Sequence, residues 1–412
     1  MNVAFNIFLY AVWFLATYYI VLLILIVLSK KDDLFEKKRF DFKKPPFVSV
    51  IVPAYNEEGK IKHTIASLKK IKYSKLEFLI MNDGSKDGTS NEVRESIKGD
   101  NRFRFIDRKL NKGKAATLND GFDVAKGEFV ATMDADSMIE PNIFRKVLPY
   151  FKDEKMAAVT VSVLVKNPKS FFHKVFELEY IIGLSLFLKI FSTFNAVFVT
   201  PGPFSIYRKS FIKEIGGFDV HNITEDLEIA YRIQKKRYKI ANCMDAKVYT
   251  ILPPTFKQIV VQRKRWYSGA IQTLSKHRDM LLNNKYGLFG HFVAYNYTLI
   301  FLGVCLFLFT LYMGFSNVYE NVMYFRHTNF NFLEHMKNFE FDFLAFGRVS
   351  FLGAMSISFT MLMLFLGLSL TKNKKSERKL GILGYPLLFF LYQLFWIVSI
   401  IAVLRGKKIK WR

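Results

Sequence analysis

Residues 47–89 read FVSVIVPAYNEEGKIKHTIASLKKIKYSKLEFLIMNDGSKDGT, and this stretch decides the fold class. Its two apolar runs, 47–54 and 76–82, have the length of buried strands, while residues 57–71 between them repeat apolar side chains at helical intervals. The alternation continues, with helices predicted at 87–97 and 113–125 and strands predicted at 103–107 and 129–134. Strands that alternate with helices form βαβ units, so we predict an α/β, Rossmann-like domain with a mostly parallel sheet. Ligands bind such sheets at the carboxyl ends of the strands, where we therefore seek the site.

Apolar residues are concentrated at the two ends of the chain. Hydrophobic residues make up 51% of the 412 residues, but residues 45–283 have the mixed composition of a globular domain. The first apolar stretch, 5–28, is long enough to cross a bilayer core of about 30 Å as a helix, and no small-residue cleavage site follows it. We therefore expect a retained membrane anchor. Three further apolar stretches are predicted membrane helices, at 287–315, 343–370 and 380–404.

Basic residues beside these stretches predict the orientation in the membrane. The net charge is +25, and Lys and Arg cluster in segments 30–44 and 371–379. The positive-inside rule places both segments in the cytosol and the polar loop 316–342 outside. The last apolar stretch conflicts with this rule, because a full crossing would leave the basic tail 405–412 outside. A re-entrant path and a break near Gly384 both resolve the conflict, and the residues alone do not choose between them.

The high charge does not indicate a nucleic-acid partner, because no RNA- or DNA-binding motif accompanies it. The two cysteines, Cys243 and Cys305, fall in segments predicted to be cytosolic and intramembrane, so no disulfide framework is expected. Residues 171–191 and 256–274 combine apolar and charged side chains, which predicts amphipathic helices that lay the globular domain against the membrane. For the first of them a buried domain helix is the alternative.

The sharpest motif is MDADS at residues 133–137, where a predicted apolar strand ends. Two carboxylates, Asp134 and Asp136, can hold a hard divalent cation at a strand end, and that cation can bind a diphosphate. An exposed acidic turn is the alternative. Asp134 lies within an otherwise apolar run, however, where an unpaired carboxylate is costly.

Three upstream loops carry further candidates. Residues 53–58 read PAYNEE after the first strand, and Asp83 follows the second strand. Lys114 opens a predicted helix, where it can face a phosphate at the positive helix end. A helix cap is the alternative for the first loop and a plain turn for the second.

Residues 223–227 read ITEDL and precede a helical pattern. Thr224 can cap that helix, which is the structural alternative, and Asp226 then lies in the first turn, where a carboxylate is stabilised as an anion. Asp226 is therefore our candidate general base, with Glu225 as the neighbouring carboxylate candidate.

Residues 262–266 read QRKRW on the second amphipathic helix. Helical spacing brings Gln262, Arg265 and Trp266 to one face, where Trp offers a flat surface to a sugar ring and Arg offers a fork to a phosphate. A basic interfacial helix anchored by Trp is the alternative.

Together these motifs resemble the ordered signature of the processive membrane synthases of glycosyltransferase family 2, which include cellulose, chitin, hyaluronan and poly-N-acetylglucosamine synthases. That signature is an Asp after the second strand, a DxD, a TED-type base motif and QxxRW, and its counterparts here lie within residues 47–275. The TPGPF stretch at 200–204 looks like the acceptor loop of these enzymes. The single amino-terminal span and short carboxyl-terminal region look most like the bacterial poly-N-acetylglucosamine synthase branch.

The resemblance implies a GT-A fold, a UDP-sugar donor, Mg or Mn, and inversion at the anomeric carbon. It implies nucleotide-sugar binding by Pro53, Ala54, Tyr55, Glu57, Asp83, Lys114, Asp134, Asp136 and Arg265. It implies acceptor binding by Thr200, Gly202, Pro203, Gln262 and Trp266, metal ligation by Asp134 and Asp136, and catalysis by Asp226 with Glu225 and Asp136.

The implied function is transfer of a sugar to a growing polysaccharide at the cytosolic face of the cell membrane, with coupled export in many members. Single-sugar transfer to a lipid is the alternative, because ceramide glucosyltransferases share a similar motif order. A non-enzymatic scaffold or channel finds no support in a chain that keeps each expected carboxylate. About four spans are few for a complete channel, so we expect an accessory subunit or homo-oligomer beside the donor, the glycan or glycolipid acceptor and the bilayer.

The expected domain order is an N-terminal membrane helix and a basic linker, then a cytosolic GT-A domain with its interface helices, then C-terminal membrane helices and a basic tail. The corresponding boundaries are 1–30, 31–46, 47–283, 284–404 and 405–412.

Overall fold

A computed structural model describes residues 3–30, 32, 34, 38–327, 343–370 and 378–406, without the side chains of 3, 4, 343–350 and 352. Eight strands form one sheet in this part of the chain. In chain order they are β1 Val48–Ala54, β2 Leu76–Asp83, β3 Phe103–Arg108, β4 Phe129–Thr132, β5 Met138–Ile139, β6 Met156–Val165, β7 Ser205–Arg208 and β8 Lys239–Thr250. Each strand predicted upstream of residue 134 is present, so the α/β prediction is confirmed.

The sheet order is β3-β2-β1-β4-β7-β6-β8-β5. The first four strands in that order pair in parallel, as does β6 with β8. Strand β7 runs antiparallel to both of its neighbours, and β5 runs antiparallel to β8. The sheet is therefore mixed, and the predicted parallel arrangement holds best for its first half. All the antiparallel pairs involve strands after residue 134, where the predicted alternation of strands and helices had ended.

The strand register gathers several loops at one edge of the sheet. Ala54 pairs with Asn82 and Ile51 pairs with Thr132, so the chain leaves β1, β2 and β4 at the same edge. Ser205 also pairs with Thr132, and because β7 is antiparallel the loop before it arrives at this edge too. Residues distant in sequence therefore meet where parallel sheets usually bind ligands.

Helices cover both faces of the sheet. In chain order they are α1 Val3–Ser29, α2 Ile61–Lys69, α3 Thr89–Ser96, α4 Lys114–Val124, α5 Ile143–Val147, α6 Phe171–Ile181, α7 Leu188–Thr193, α8 Lys209–Glu214, α9 Glu225–Lys235, α10 Phe256–Lys276, α11 Leu288–His327, α12 Phe343–Leu370, α13 Lys379–Gly384 and α14 Leu387–Leu404. Ile65 of α2 packs in one apolar cluster with Val50, and Leu118 of α4 packs in the other with Ile51. All residues of β2 and β6 are buried, which explains their nearly continuous apolar runs.

The segment predicted at 171–191 is helical over α6, a π-helical turn Ile182–Phe187, and α7. Helix α6 packs against β6 and against α13, and the π-helical turn packs against α12. Most residues of the 171–191 segment are buried, which favours the buried domain helix over an amphipathic helix exposed at the membrane surface. The segment nevertheless joins the sheet to the long apolar helices, which are the candidate membrane spans.

Four helices in the described residues are long and apolar enough to cross a membrane, over Phe5–Ser29, Leu288–His327, Gly353–Leu370 and Leu387–Leu404. Helix α11 continues to His327, so the loop predicted from residue 316 is wrong for 316–327. Those residues contain neither Gly nor Pro to end the helix. The rest of that predicted loop, 328–342, lies outside the described residues, as do 371–377 of the basic segment and 407–412 of the tail.

The last apolar stretch is interrupted near Gly384, where one of the two sequence-based alternatives places a break. Helix α13 ends at Gly384, and α14 begins after Pro386, which occupies its N-cap position. Proline has no N–H to continue a helix, so the interruption follows from the sequence. The break near Gly384, one of the two alternatives, is therefore present, and the path of this stretch across the bilayer stays a prediction.

Candidate active site

Lys114 is the central cation of the candidate site. It is the first residue of α4, and the preceding Gly113 has a φ of 88°, a conformation that suits glycine. Its Nζ atom lies 2.7 Å from Asp134 Oδ1 and 2.8 Å from Glu225 Oε1. Burial alone would lower the pKa of Lys114, but the charges of Asp134, Glu225 and Asp226 outweigh burial and raise that pKa. Lys114 therefore stays charged and joins the end of β4 to the start of α9.

Asp83 shapes the loop that presents Lys114. Its two carboxylate oxygens accept hydrogen bonds from the backbone N–H groups of Lys112 and Gly113, each at 2.9 Å. Arg108 lies 3.8 Å from the same carboxylate. Asp83 is buried at the end of β2, beside the site, and its direct contact with a nucleotide stays a prediction.

The predicted nucleotide-binding residues of the first loop lie at the same sheet edge, at the end of β1 or just after it: Pro53, Ala54, Tyr55 and Glu57. Hydrogen bonds tie this loop to the one after β2. The Asn56 N–H donates to Ser85 Oγ at 2.9 Å, and the Glu57 N–H donates to Thr89 Oγ1 at 2.8 Å. The Glu57 carboxylate is 2.8 Å from Lys60 Nζ. The two loops therefore form one connected wall of the site.

The predicted acceptor loop lies directly against the central charges. Its candidates occupy the segment that leads into β7: Thr200, Gly202 and Pro203. The Asp134 N–H donates a hydrogen bond to Gly202 O at 3.1 Å. If residue 202 carried a Cβ atom, that atom would lie 2.8 Å from Asp134 Oδ2 and 2.8 Å from Lys114 Nζ. The Thr200 N–H and hydroxyl both donate to the Asp226 carbonyl, at 3.0 and 2.8 Å. A side chain at position 202 would therefore displace the Asp134 carboxylate or the Lys114 ammonium.

Asp226 has the perturbed acidity expected of a general base. Burial and then the neighbouring Glu225 charge raise the pKa of Asp226 to about 6, although the charges of Lys114 and Arg265 oppose them. Among the described residues Thr224 makes no side-chain cap hydrogen bond, although it occupies the N-cap position of α9. The capping alternative for this motif is therefore not supported.

Asp136 follows Asp134 on the turn after β4, and it accepts a hydrogen bond from Ser137 Oγ at 3.3 Å. In the described part of the chain no group of three or more His, Cys, Asp or Glu side chains could hold a metal ion by itself. The two carboxylates still fit Mg or Mn. Such hard cations commonly bind through one or two carboxylates and take their remaining ligands from water and substrate phosphate.

Helix α10 carries the QRKRW residues. Arg265 is near enough to Asp226 for its charge to lower the pKa of that carboxyl. The Oε1 atom of Gln262 is buried and has no hydrogen-bond partner among the described residues, which leaves it available to a ligand. Trp266 is half-buried on the same helix. The structure therefore brings Arg265 to the Asp226 side of the site.

Arg263, the second residue of QRKRW, is the residue that our sequence reasoning missed. It is 2% exposed, and its guanidinium pairs with the Glu179 carboxylate of α6. A signal was present, because Glu177 and Glu179 interrupt a strongly apolar helix and buried carboxylates require partners. The partner could not be identified from spacing, since it lies on another helix.

A cavity of ≈ 210 Å³ opens beside Lys114 and Glu225. Residues 112–116, around the start of α4, line one side, and residues 220–223 line the other. The N–H groups and basic residues at this helix start suit an anionic ligand.

The protein-family comparison matches residues 45–269 to the model described as glycosyltransferase like family 2. A poly-beta-1,6-N-acetyl-D-glucosamine synthase of Staphylococcus epidermidis is 25% identical over 362 residues, which cover 87% of this chain and 82% of that protein. A protein of the same name from Staphylococcus aureus (strain MSSA476) is 29% identical over 279 residues, 66% of each chain.

A solved structure shows the same fold across nearly the whole chain. It is mannosyltransferase PcManGT from Pyrobaculum calidifontis in complex with GDP-Man and Mn2+, with a TM-score of 0.64, 19% identity, and coverage of 97% of this chain and 99% of that chain. The family match spans more than half of the chain and contains the strand-edge motifs described above. The chain therefore belongs to glycosyltransferase family 2, and it is a glycosyltransferase with a GT-A-like mixed sheet.

Proposed function

We propose that this enzyme transfers sugar units from a UDP-sugar to the end of a growing polysaccharide, with inversion, at the cytosolic face of the cell membrane. The observation that carries the proposal is the bridge from Lys114 to Asp134 and Glu225. It joins the candidate donor-binding turn to the helix that bears the candidate base. Both halves of a displacement reaction are thereby held in one site.

The donor half of the site consists of cations and carboxylates. Lys114 and Arg265 offer positive charge to the diphosphate, and the loops after β1 and β2 offer polar groups to the nucleoside. Asp134 and Asp136 would hold Mg or Mn, which when bound supplies positive charge that stabilises the departing nucleotide. Lys114 also holds Asp134 in place, so it supports the turn after β4 from the protein side.

The acceptor half supplies a base and a sugar platform. Asp226 takes the proton from the attacking hydroxyl. Its pKa of about 6 lies below neutral pH, so the carboxylate is ionised there, and because this pKa is raised the carboxylate is a stronger base. Trp266 offers its flat ring to the acceptor sugar, and the unpartnered Gln262 Oε1 accepts a hydroxyl hydrogen bond. The loop with Thr200, Gly202 and Pro203, which contacts Asp134, Lys114 and Asp226, is proposed to contact the acceptor as well.

The polymer and the sugar are proposed from the named relatives. Two relatives that align with large parts of this chain are called poly-beta-1,6-N-acetyl-D-glucosamine synthases. We therefore propose N-acetylglucosamine as the transferred sugar. We further propose that residues 47–283 form the cytosolic catalytic domain and that the four candidate spans hold it at the membrane, where elongation is coupled to export.

The proposal is tested with the purified full-length chain in lipid vesicles. The chain is incubated separately with radiolabelled UDP-N-acetylglucosamine, UDP-glucose and GDP-mannose, with Mg or Mn, and the products are sized. We expect polymer from UDP-N-acetylglucosamine and none from the Asp226→Asn variant. A product that never exceeds one added sugar on a lipid would replace the polysaccharide proposal with glycolipid synthesis. Absence of transfer from every donor would reject the proposed function.

A further inference from the structure

Arg263 and Glu179 form a buried, two-pronged ion pair between α10 and α6. The guanidinium Nη1 donates to Glu179 Oε1 at 2.8 Å, and Nη2 donates to Oε2 at 2.6 Å. The Arg263 side chain is 2% exposed and the Glu179 side chain is 13% exposed. This parallel geometry is the strongest that Arg and a carboxylate form, so it holds both side chains in fixed orientations.

The cation also covers an aromatic group of the proposed acceptor site. The Arg263 guanidinium carbon lies 4.3 Å from the ring centroid of Trp266 and 5.0 Å from that of Phe176. Distances below about 6 Å give attraction between a cation and a ring face, and the attraction is larger when the cation is desolvated. Arg263 therefore restrains the Trp266 ring as well as the helix that carries it.

The same carboxylate reaches the membrane helices. Burial raises the pKa of Glu179, and the nearby Arg263 and Tyr392 of α14 oppose that shift. Helix α14 also packs on α10 through the stacked rings of Tyr267 and Trp396, whose centroids are 4.5 Å apart. Trp266, Arg263 and Glu179 therefore lie beside the candidate span α14, which packs on the helix that carries Trp266.

A purely stabilising role does not explain this arrangement well. Burying two charges costs desolvation free energy, and an apolar pair of similar size is often as stable or more stable. What an ion pair supplies beyond apolar packing is a defined orientation. That orientation is useful where a ring must meet a substrate at a fixed angle.

We propose that Arg263 and Glu179 are positioning residues for the acceptor, which fix the Trp266 ring relative to α14 so that the sugar at the chain end stays aligned with the membrane helices between transfers. This inference rests on the proposed function, because it takes Trp266 as the acceptor platform. It predicts that loss of the pair affects acceptor binding and product length rather than donor binding.

Helix α6 supplies a matched control. Glu177, two residues before Glu179, accepts hydrogen bonds from Arg378 at 2.7 and 3.1 Å, and the side chains of both residues are largely buried. This second pair joins α6 to the start of α13 rather than to α10. The Glu177–Arg378 pair therefore resembles the Glu179–Arg263 pair in charge and in its position on α6, but it does not contact α10.

The experiment compares Arg263→Met, Arg263→Lys and Glu179→Gln with Glu177→Gln and Arg378→Met in the full-length chain. For each variant the Tm, the KM for UDP-sugar, the KM for an added oligosaccharide acceptor and the product length are measured. We expect Arg263→Met and Glu179→Gln to raise the acceptor KM roughly ten- to hundredfold and to shorten the product, with the donor KM unchanged. Arg263→Lys keeps a cation over the ring and is expected to recover part of the loss. The control variants are expected to lower the Tm without changing acceptor KM or product length.

Two outcomes would overturn the inference. The first is that variants of both pairs change donor KM, acceptor KM and Tm in parallel, which is the behaviour of a structural ion pair. The second is that Arg263→Lys and Glu179→Gln fold and elongate like the wild type. If the wild type elongates normally and either of these two outcomes is found, only the inference about the ion pair is rejected. If the wild type shows no transfer, the proposed function is rejected as well. If Arg263→Met does not fold, the Arg263→Lys and Glu179→Gln variants decide the question.

Discussion

Lys114 Nζ lies 2.8 Å from Glu225 Oε1. The first residue begins α4 and the second begins α9, so a single ion pair fixes where Asp226 stands relative to the carboxyl edge of the sheet. Since the same ammonium contacts Asp134, the positions of the proposed base and of the proposed metal-binding turn depend on each other.

Replacement of Asp226 by Asn should remove the base without removing the donor site. We expect kcat to fall about 10²- to 10⁴-fold, because the attacking hydroxyl loses its proton acceptor, while the Kd for UDP changes little. UDP release and UDP calorimetry measure the two quantities. Asp245→Asn, an exposed residue of β8, is the control and should keep wild-type values. Unchanged turnover in Asp226→Asn would remove this residue from the role of base.

The acid limb of the pH–rate profile should report Asp226. Because the pKa of Asp226 is raised to about 6, the ionised base is lost as pH falls through about 6, and kcat/KM should fall with it. Glu225 is among the causes of this raised pKa, so Glu225→Gln should move the inflection to lower pH. The profiles of the wild type and this variant are compared at constant ionic strength. An inflection that stays in place would exclude Asp226 as the titrating group.

Metal removal should weaken donor binding through Asp136. We expect EDTA to raise the Kd of the wild type for UDP, because the diphosphate loses a cation that two carboxylates would hold. Asp136→Ala should show the weakened Kd with Mg or Mn present and should respond little to EDTA. Calorimetry with and without metal measures both. Equal wild-type affinity in the two conditions would contradict a metal site at this turn.

Gly202→Ala should damage the site with little effect on the fold. The added Cβ would lie 2.8 Å from both Asp134 Oδ2 and Lys114 Nζ, so one of these groups must move. We expect kcat/KM to fall about 10- to 100-fold while Tm stays near that of the wild type. Gly183→Ala is the matched control, because a Cβ at Gly183 meets nothing within 4 Å in the described structure. If Gly202→Ala retains full activity, the acceptor loop does not need this close approach.

Glu228 should make the stability of the chain acid-sensitive. Burial would raise the pKa of Glu228, but hydrogen bonds from His277 and Lys276 and the charge of Arg232 outweigh it and lower the pKa to about 2. Because the pKa of Glu228 is lower in the folded state, its ionised carboxylate stabilises the fold at pH values above the ordinary pKa of about 4.5. This contribution is lost as pH falls from about 4.5 towards 2.

Glu228→Gln should therefore lower the Tm at neutral pH and flatten its decline in acid. Removal of one partner from a buried charged network typically costs roughly 3–5 kcal/mol. Thermal unfolding between neutral and acid pH measures both effects. Parallel Tm curves for the wild type and the variant would show that Glu228 does not contribute this acid sensitivity.

The sequence predicts the parallel half of the sheet because each strand there is a short apolar run followed by a turn motif, as in residues 47–54 and 76–82. It does not predict β7 as an antiparallel strand, because Ser205–Arg208 is four residues long and its direction depends on tertiary pairing with β4. The end of α11 was predicted too early for a related reason. Polar residues after 315 resemble a loop, although no Gly or Pro ends the helix.

The candidate site divides in the same way. Asp134, Asp136 and Asp226 were identified because a carboxylate at a strand end or in the first turn of a helix has a recognisable context. The bridging contact of Lys114 and the pairing of Arg263 with Glu179 join residues from distant segments. Spacing along the chain gives no information on such contacts, whereas buried charge in an apolar helix gives a partial signal.

We infer that the nucleotide diphosphate, the acceptor hydroxyl and the base meet around Lys114. The most direct measurement is an experimental structure of the full-length chain with UDP and Mn. We predict diphosphate density between the turn of Asp134 and Asp136 and the Arg265 guanidinium, with the Asp226 carboxylate facing the open side. Nucleotide density on another face of the sheet, away from Lys114, would contradict the account.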